Sequence, residues 1–281
     1  MTVSMTEIEI ESFDGVRIRA YRSSPATARG HLVIALPLAT RPSLCARAIA
    51  SLAGELDVVT WEPRLILEPE VALRSRAALA IEAHVKDVLA ILDHLGIEQA
   101  ALLGYCSGAA TALYAAAENR KRFCKLALVS GAYFMNPDRC EHTQYERDVL
   151  ALAPSIAADR TQAGRLFSQF FSGNRGFRRR DHELADEIYR PYDNPESFYR
   201  FGVCVDNFMR GDPERAAGEI VAPTLVTSGA LDDQTHPASS ALVAARISHR
   251  ETYCDPQGDH YELCRANAGL MTRVARFVAS A

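Results

Sequence analysis

Hydrophobic and polar positions along the chain predict strands that alternate with helices. Residues 7–12 and 16–21 alternate apolar and polar side chains around Asp14 and Gly15, which is typical of an antiparallel hairpin. Short, mostly apolar runs then recur, as expected for strands that are covered on both faces. The strands predicted after the hairpin are residues 31–36, 57–61, 100–103, 125–130, 224–228 and 250–254.

Helices are predicted between these strands. In residues 74–95, for example, Ile81, Val85, Val88 and Leu92 form an apolar stripe at spacings of four and three. Regular alternation of strands and helices implies an α/β fold with a mostly parallel twisted sheet and helices on both faces. In such folds the active site lies beyond the carboxyl ends of the strands. The other predicted helices are residues 43–54, 107–118, 237–246 and 262–279.

The alternation stops in one long segment. Residues 132–218 contain no predicted strand, but they contain helical patterns and more than half of the aromatic residues of the chain. We predict that residues 1–131 and 219–281 form the core and that residues 132–218 form a helical lid over the strand ends. An alternative is that the aromatic side chains only hold this segment together. The side chains predicted to bind substrate there are Phe167, Phe170, Phe171, Phe198 and Phe201.

A glycine-flanked cysteine lies between the strand at 100–103 and the following helix. Gly104 and Gly108 stand two positions before and after Cys106, the spacing of a nucleophile elbow, where larger side chains would collide with neighbouring backbone. Ser107 is a poorer candidate, because its own −2 position holds the bulky Tyr105. The N-terminus of the following helix favours the thiolate form of Cys106. An ordinary buried cysteine in a strand-to-helix turn is the alternative reading.

A catalytic thiolate needs a base and an orienting acid later in the chain. His260 follows the last predicted strand and is the only one of the eight histidines with that position and order. Asp232 and Asp233 both follow the strand at 224–228. Backbone N–H groups for an oxyanion hole are expected from Ser107 and, because Pro37 has none, from Leu38 or Ala39, of which Leu38 is the preferred candidate.

These features resemble the α/β-hydrolase superfamily over nearly the whole chain. The resemblance rests on the FDGVRIRAYR hairpin, the GYCSG elbow, the GALD turn and the GDHYE turn. It implies that Cys106 is the nucleophile, His260 the base and Asp232 the acid, since family members usually place the acid three residues after the glycine that ends the strand. Asp233 remains the rival acid.

The cysteine-centred box is similar to those of dienelactone hydrolases and polyhydroxyalkanoate synthases. Both groups usually carry a further glycine where this chain has Ala109. The long helical insertion is not typical of the former, and the latter are much longer chains. Neither subfamily is therefore assigned.

Composition indicates which classes of partner are disfavoured and in which compartment we expect the protein. The net charge of −4 gives no general attraction to nucleic acid or to a membrane surface. The seven cysteines show neither a C-x-x-C pair nor zinc-site spacing, and no signal peptide is visible, so we expect a reduced, cytoplasmic protein without a metal or cofactor. Gly104, Cys106 and Ser107 interrupt the uncharged stretch at 99–117, which argues against a membrane span.

A cysteine nucleophile favours thioester substrates, since one thioester is exchanged for another at nearly equal energy. The leading prediction is an acyl-thioester hydrolase for a small-molecule acyl group carried on CoA or an acyl carrier protein. Acyl transfer and lactone or ester hydrolysis are the alternatives, and a noncatalytic binding protein on the same fold is a further one. A basic run could contact such a carrier, although such a run is more often simply a solvated surface. It comprises Arg175, Arg178, Arg179 and Arg180.

Overall fold

The computed structural model describes residues 5–26, 28–171 and 183–279. In this part of the chain eight strands form one twisted sheet, in the order β1-β2-β4-β3-β5-β6-β7-β8. The strands are β1 (Thr6–Glu11), β2 (Arg17–Arg22), β3 (His31–Ala35), β4 (Asp57–Trp61), β5 (Ala100–Tyr105), β6 (Phe123–Val129), β7 (Thr224–Gly229) and β8 (Arg250–Asp255).

The hairpin and the parallel strands are arranged as the sequence predicts. Strands β1 and β2 are antiparallel, and β2 also pairs antiparallel with β4, whereas the five remaining neighbour pairs are parallel. The α/β fold class is therefore confirmed. Because the parallel strands run in one direction, the carboxyl ends of β3, β5, β6, β7 and β8 lie along the same edge of the sheet.

Helices cover both faces of the sheet. The α-helices of the described residues are α1 (Ala46–Leu52), α2 (Ile81–His94), α3 (Ser107–Glu118), α4 (Gln144–Ala158), α5 (Arg160–Phe171), α6 (Ala185–Ile188), α7 (Pro195–Phe208), α8 (Pro213–Gly218), α9 (Pro237–Arg246), α10 (Glu262–Arg265) and α11 (Ala268–Ala279). Side chains of α2, α3 and α7 contribute to the apolar core on one face, and α1, α10 and α11 contribute to the core on the other. None of these helices combines the length and the apolar surface that a bilayer crossing requires.

Three predicted helices are shorter than the sequence pattern indicates. Residues 43–54 contain the end of a 3-10 helix (Pro42–Cys45) and then α1, and caps divide the other two. Residues 74–95 form a 3-10 turn and then α2, because Ser75 caps the turn and Ala80 between them is extended. Residues 262–279 divide into α10 and α11 at Ala266, which has a φ of 54°. The side chain of Asn267 accepts hydrogen bonds from Gly269 N and Leu270 N and thereby starts a new helix. Caps of this kind interrupt an apolar periodicity that would otherwise continue.

Helix α3 approaches β3 more closely than a side chain would allow. A Cβ atom built on Gly108 would lie 2.1 Å from the carbonyl oxygen of Ala35 and 2.6 Å from that of Leu36. On the β5 side, a Cβ on Gly104 would lie 2.5 Å from the Cα of Ala109. Backbone atoms form these contacts, so no side-chain rotation can relieve them. The two glycines therefore set the position of the turn between β5 and α3.

Replacement of Gly108 by alanine should destabilise the fold although the position is helical. We expect Gly108→Ala to lower the free energy of unfolding by about 2 kcal/mol or more, as overpacking against rigid backbone does. Gly164 in α5 is the matched control, since a Cβ there would meet no atom within 4 Å. Gly164→Ala should raise the free energy of unfolding by roughly 0.5–1 kcal/mol through helix propensity. Chemical denaturation measures both values, and stabilisation by both variants would contradict the steric argument.

Candidate active site

Cys106 occupies a strained turn between β5 and α3. Its φ of 53° and ψ of −125° lie outside the regions that most residues adopt. Hydrogen bonds on both sides hold this conformation: Cys106 N donates to Val129 O at 3.0 Å, and Cys106 O accepts from Ala109 N and Ala132 N, both at 3.0 Å. The thiol is half-buried and lines a cavity at the carboxyl edge of the sheet.

His260 and Asp232 meet in the wall of the same cavity. The distance from His260 Nδ1 to Asp232 Oδ2 is 2.9 Å, and both side chains are buried. The second oxygen of the Asp232 carboxylate accepts hydrogen bonds from Gln234 N and Thr235 N. Asp233, the rival acid, is exposed and accepts a hydrogen bond from the side chain of Gln234. The acid that contacts His260 in this structure is therefore Asp232.

Direct backbone contacts join the turn that carries Asp232 to the turn that carries His260. Ala230 N donates to Asp255 O at 2.8 Å and Leu231 N donates to Gly258 O at 2.9 Å. These bonds continue the pairing of β7 with β8 beyond the ends of the strands. The pairing of two neighbouring strands thus fixes the distance between the carboxylate and the imidazole.

The electrostatics of the pair favour the charged form of both groups. Burial lowers the pKa of His260, but the charge of Asp232, followed by that of Cys106, outweighs burial and raises this pKa well above its usual value. Burial raises the pKa of Asp232, but the charge of His260 outweighs it and the pKa falls below its usual value. An imidazolium paired with the Asp232 carboxylate is the arrangement that these opposed shifts favour.

Two further side chains, which are not among the predicted site residues, hold His260 in position. Tyr105 donates its hydroxyl hydrogen to His260 O at 2.9 Å, and the two rings lie 5.4 Å apart. Thr235 Oγ1 donates to Asp232 Oδ2 at 2.9 Å and lies 3.4 Å from His260 Nδ1. The sequence offers one indication of their role, which is that both lie close to predicted catalytic residues. Tyr105 directly precedes Cys106, and Thr235 lies three residues after Asp232.

The predicted oxyanion donors lie together beside Cys106. Ser107 is the first residue of α3, where a backbone N–H has no partner within the helix. Leu38 N donates to Ser107 Oγ at 2.8 Å. The Leu38 N–H therefore already has an acceptor in this structure, which the sequence alone did not indicate.

The cavity beside Cys106 has a volume of about 450 Å³. One wall comes from residues at the ends of the strands, and the other comes from the helical insertion. The insertion contributes Gln144, Tyr145, Glu146, Val149 and Leu150 of α4, Ile188 of α6, Phe201 of α7, and Ala132, Phe134, Tyr189, Pro191 and Tyr192. In the described ranges no group of three or more His, Cys, Asp or Glu side chains could hold a metal ion.

The predicted substrate-binding phenylalanines require a correction. Among the five, Phe201 lines the cavity, whereas the other four do not. Phe198 is buried, and its ring lies 5.9 Å from that of Phe167 and 5.5 Å from that of Phe171. Phe170 lies 6.4 Å from Phe171. The rings of Phe167, Phe171 and Phe198 pack α5 against α7 inside the insertion, and Phe170 contacts Phe171 within α5. Tyrosines supply most of the aromatic cavity wall. The basic run Arg175, Arg178, Arg179 and Arg180 lies outside the described residues.

The fold and the site define the class of protein. A family model described as alpha/beta hydrolase fold matches residues 68–263, and the chain belongs to this family. Solved structures support the fold. An enol-lactonase from Burkholderia xenovorans LB400 has a TM-score of 0.72 at 18% identity and covers 97% of this chain and 100% of its own. An esterase from Exiguobacterium antarcticum has a TM-score of 0.73 at 14% identity and covers 98% of this chain and 100% of its own.

A relative in sequence is named as a transferase. The chain is 27% identical over 260 residues to an L-allo-isoleucyltransferase from Pseudomonas savastanoi pv. glycinea. The match covers 90% of this chain and 88% of the relative. The family and this relative support an enzyme of the hydrolase or acyltransferase type.

Loss of the Asp232 charge should lower the reactivity of Cys106. We expect Asp232→Asn to slow alkylation of Cys106 by iodoacetamide at neutral pH by about tenfold or more, because a less basic His260 stabilises less thiolate. Asp233→Asn is the control and should change the rate by less than about twofold, as a surface charge does. Peptide mapping after timed labelling distinguishes Cys106 from the other cysteines. A reversed order of the two variants would assign the acid to Asp233.

Proposed function

We propose that this protein is an acyltransferase that carries its acyl group as a thioester on Cys106. The observation that carries the proposal is a cysteine at the elbow beside the His260–Asp232 ion pair, inside a cavity with apolar walls. The name of the 27% identical relative supports transfer, whereas the sequence alone favours hydrolysis.

The proposed reaction has two half-reactions of the same kind. In the first, the Cys106 thiolate attacks the carbonyl carbon of a donor thioester, the C–S bond of the donor breaks, and His260 gives its Nε2 proton to the departing thiolate. In the second, His260 takes a proton from an acceptor thiol, whose sulfur attacks the acyl carbon and displaces Cys106. Asp232 holds the Nδ1–H of His260 and stabilises the imidazolium in both halves.

We further propose that the acyl group is an α-aminoacyl group with an apolar side chain. The relative is named for such a group. The cavity supports the proposal, because its aromatic wall suits an apolar side chain and the carboxylate of Glu146 lies in the same wall. One oxygen of Glu146 accepts hydrogen bonds from Thr143 N and His236 N, which fixes the carboxylate. A fixed carboxylate can balance the charge of an α-ammonium group.

Enclosure of the thioester decides between transfer and hydrolysis. Tyr145, Tyr189, Tyr192 and Phe201 cover the cavity from the insertion side. An apolar roof of this kind keeps bulk water from the acyl-cysteine until an acceptor enters. The predicted lid role of residues 132–218 is thus part of this proposal.

Product analysis tests the proposal directly. The protein is incubated with the N-acetylcysteamine thioester of isoleucine, and intact-mass analysis should show one aminoacyl adduct at Cys106. Addition of pantetheine as the acceptor should then give the new thioester in excess over free isoleucine, because thiol attack on a thioester is nearly isoenergetic.

Matched variants show whether the adduct forms at Cys106, and the ratio of the two products distinguishes transfer from hydrolysis. Cys106→Ala should form no adduct, whereas Cys124→Ala, which removes an exposed cysteine of β6, should behave as the wild type. Free isoleucine as the main product at saturating pantetheine would assign the enzyme as a thioesterase. The absence of any adduct would reject covalent catalysis at Cys106.

Glu146 should determine the preference for an aminoacyl group. We expect Glu146→Gln to lower kcat/KM for the isoleucyl thioester by about 10–100-fold relative to its des-amino analogue, the value of a charge-assisted hydrogen bond. Glutamine retains an oxygen that can cap α4. Asp148→Asn, an exposed change in the same helix, is the control. Equal losses for both substrates would contradict ammonium recognition by Glu146.

A further inference from the structure

We propose that the hydroxyl group of Ser107 donates a hydrogen bond to the oxyanion that forms during acylation of Cys106, and that the Leu38 N–H acts through this hydroxyl. The inference rests on the proposed acyl transfer through Cys106. Of the two backbone donors that the fold family leads one to expect, it keeps the Ser107 N–H and puts the Ser107 hydroxyl in the place of the Leu38 N–H.

The first argument is the direction of the Leu38 N–H. Leu38 N lies 2.8 Å from Ser107 Oγ and donates to it. A hydrogen bond of this length is well formed. The N–H that the sequence assigns to the oxyanion is therefore aimed at a side-chain oxygen of the chain itself.

The second argument is the hydrogen of the Ser107 hydroxyl. Because Oγ accepts from Leu38 N, its own hydrogen must point away from Leu38. Ser107 is only 5% exposed, and within the described ranges no residue accepts this hydrogen. Buried hydroxyl groups normally have an acceptor. Ser107 also lines the cavity together with Cys106 and His260, where an acyl oxygen would lie.

The third argument is chemical. A hydroxyl that accepts a hydrogen bond becomes a stronger donor, because the two bonds polarise each other. Ser107 would then supply two donors to one oxyanion, its backbone N–H at the start of α3 and its hydroxyl. Both are held by the same turn, so they require no rearrangement when charge develops on the acyl oxygen.

The direct and the relayed arrangement predict opposite results for one substitution. Ser107→Ala removes the acceptor of the Leu38 N–H and frees this group for the oxyanion. If Leu38 donates directly, acylation should be maintained or should become faster. If the hydroxyl is the donor, acylation should slow by about 10²-fold, as after loss of an oxyanion-hole donor.

Two rates measured on each variant separate this role from a structural one. The first is single-turnover acylation of Cys106 by the isoleucyl N-acetylcysteamine thioester, in which an oxyanion forms. The second is alkylation of Cys106 by iodoacetamide, in which none forms. We expect the ratio of acylation to alkylation to fall by about 10²-fold in Ser107→Ala and to recover to within about tenfold of the wild type in Ser107→Thr, which keeps a hydroxyl.

Each other outcome overturns the inference in a recognisable way. Acylation of Ser107→Ala at or above the wild-type rate would assign direct donation to Leu38. Equal losses of acylation and alkylation in Ser107→Ala would show that the hydroxyl only supports the turn. Failure of the wild type to form an adduct at Cys106 would instead reject the proposed function, and the inference with it.

Discussion

Contact between the start of α3 and the end of β3 is the constraint on which the rest of the site depends. Gly108 lies against the carbonyl oxygens of Ala35 and Leu36, with no space for a Cβ atom. This contact brings Leu38, which follows β3, to within a hydrogen bond of Ser107. It also leaves Cys106 at a positive φ, with its thiol in the cavity. The close contact of Gly108 with the backbone after β3 therefore helps to position the Cys106 thiol and the hydrogen-bond donors beside this thiol.

The second half of the site depends on strand pairing. Pairing between β7 and β8 continues into the turns that carry Asp232 and His260, so their separation follows from the sheet. Tyr105 connects the two halves, since it ends β5 and its hydroxyl donates to the backbone of His260. A change in any of these strands would alter the position of the imidazole relative to the thiol.

Sequence patterns predict best where one force determines the local structure. Strand β4 and helices α3 and α9 have the predicted bounds, because a buried apolar run or a proline start leaves few alternatives. Apolar periodicity predicts continuous helices at 74–95 and 262–279, because it contains no signal for the caps that Ser75 and Asn267 form.

For the site, too, the sequence predicts features that depend on local spacing but not contacts that depend on the folded structure. The spacing of Gly104 and Gly108 predicts Cys106, and order along the chain with a position after the last strand predicts His260. The choice of Asp232 over Asp233 needs the spacing known from the family. The contact between Leu38 N and Ser107 Oγ joins residues 69 positions apart, and only the folded geometry reveals it. Their position in the insertion predicts that the phenylalanines of α5 and α7 line the cavity, but a helix has several faces and only one of them can do so. Phe198 and Phe167 face the partner helix instead.

The firm attachment of the insertion to the core is compatible with a reaction in which donor and acceptor bind one after the other. The buried guanidinium of Arg200 in α7 donates to the carbonyl oxygens of Leu65, Glu68, Pro69 and Val71, and its Nε donates to Glu196. The Arg200 side chain is almost entirely buried, so α7 could exchange these hydrogen bonds for bonds to water only if it moved away from the core and exposed this side chain. The wall that α7 provides is therefore held firmly against the core. Under the proposed chemistry, a covalent intermediate on Cys106 lets donor and acceptor occupy the same cavity in turn, so the cavity need not enlarge to hold both.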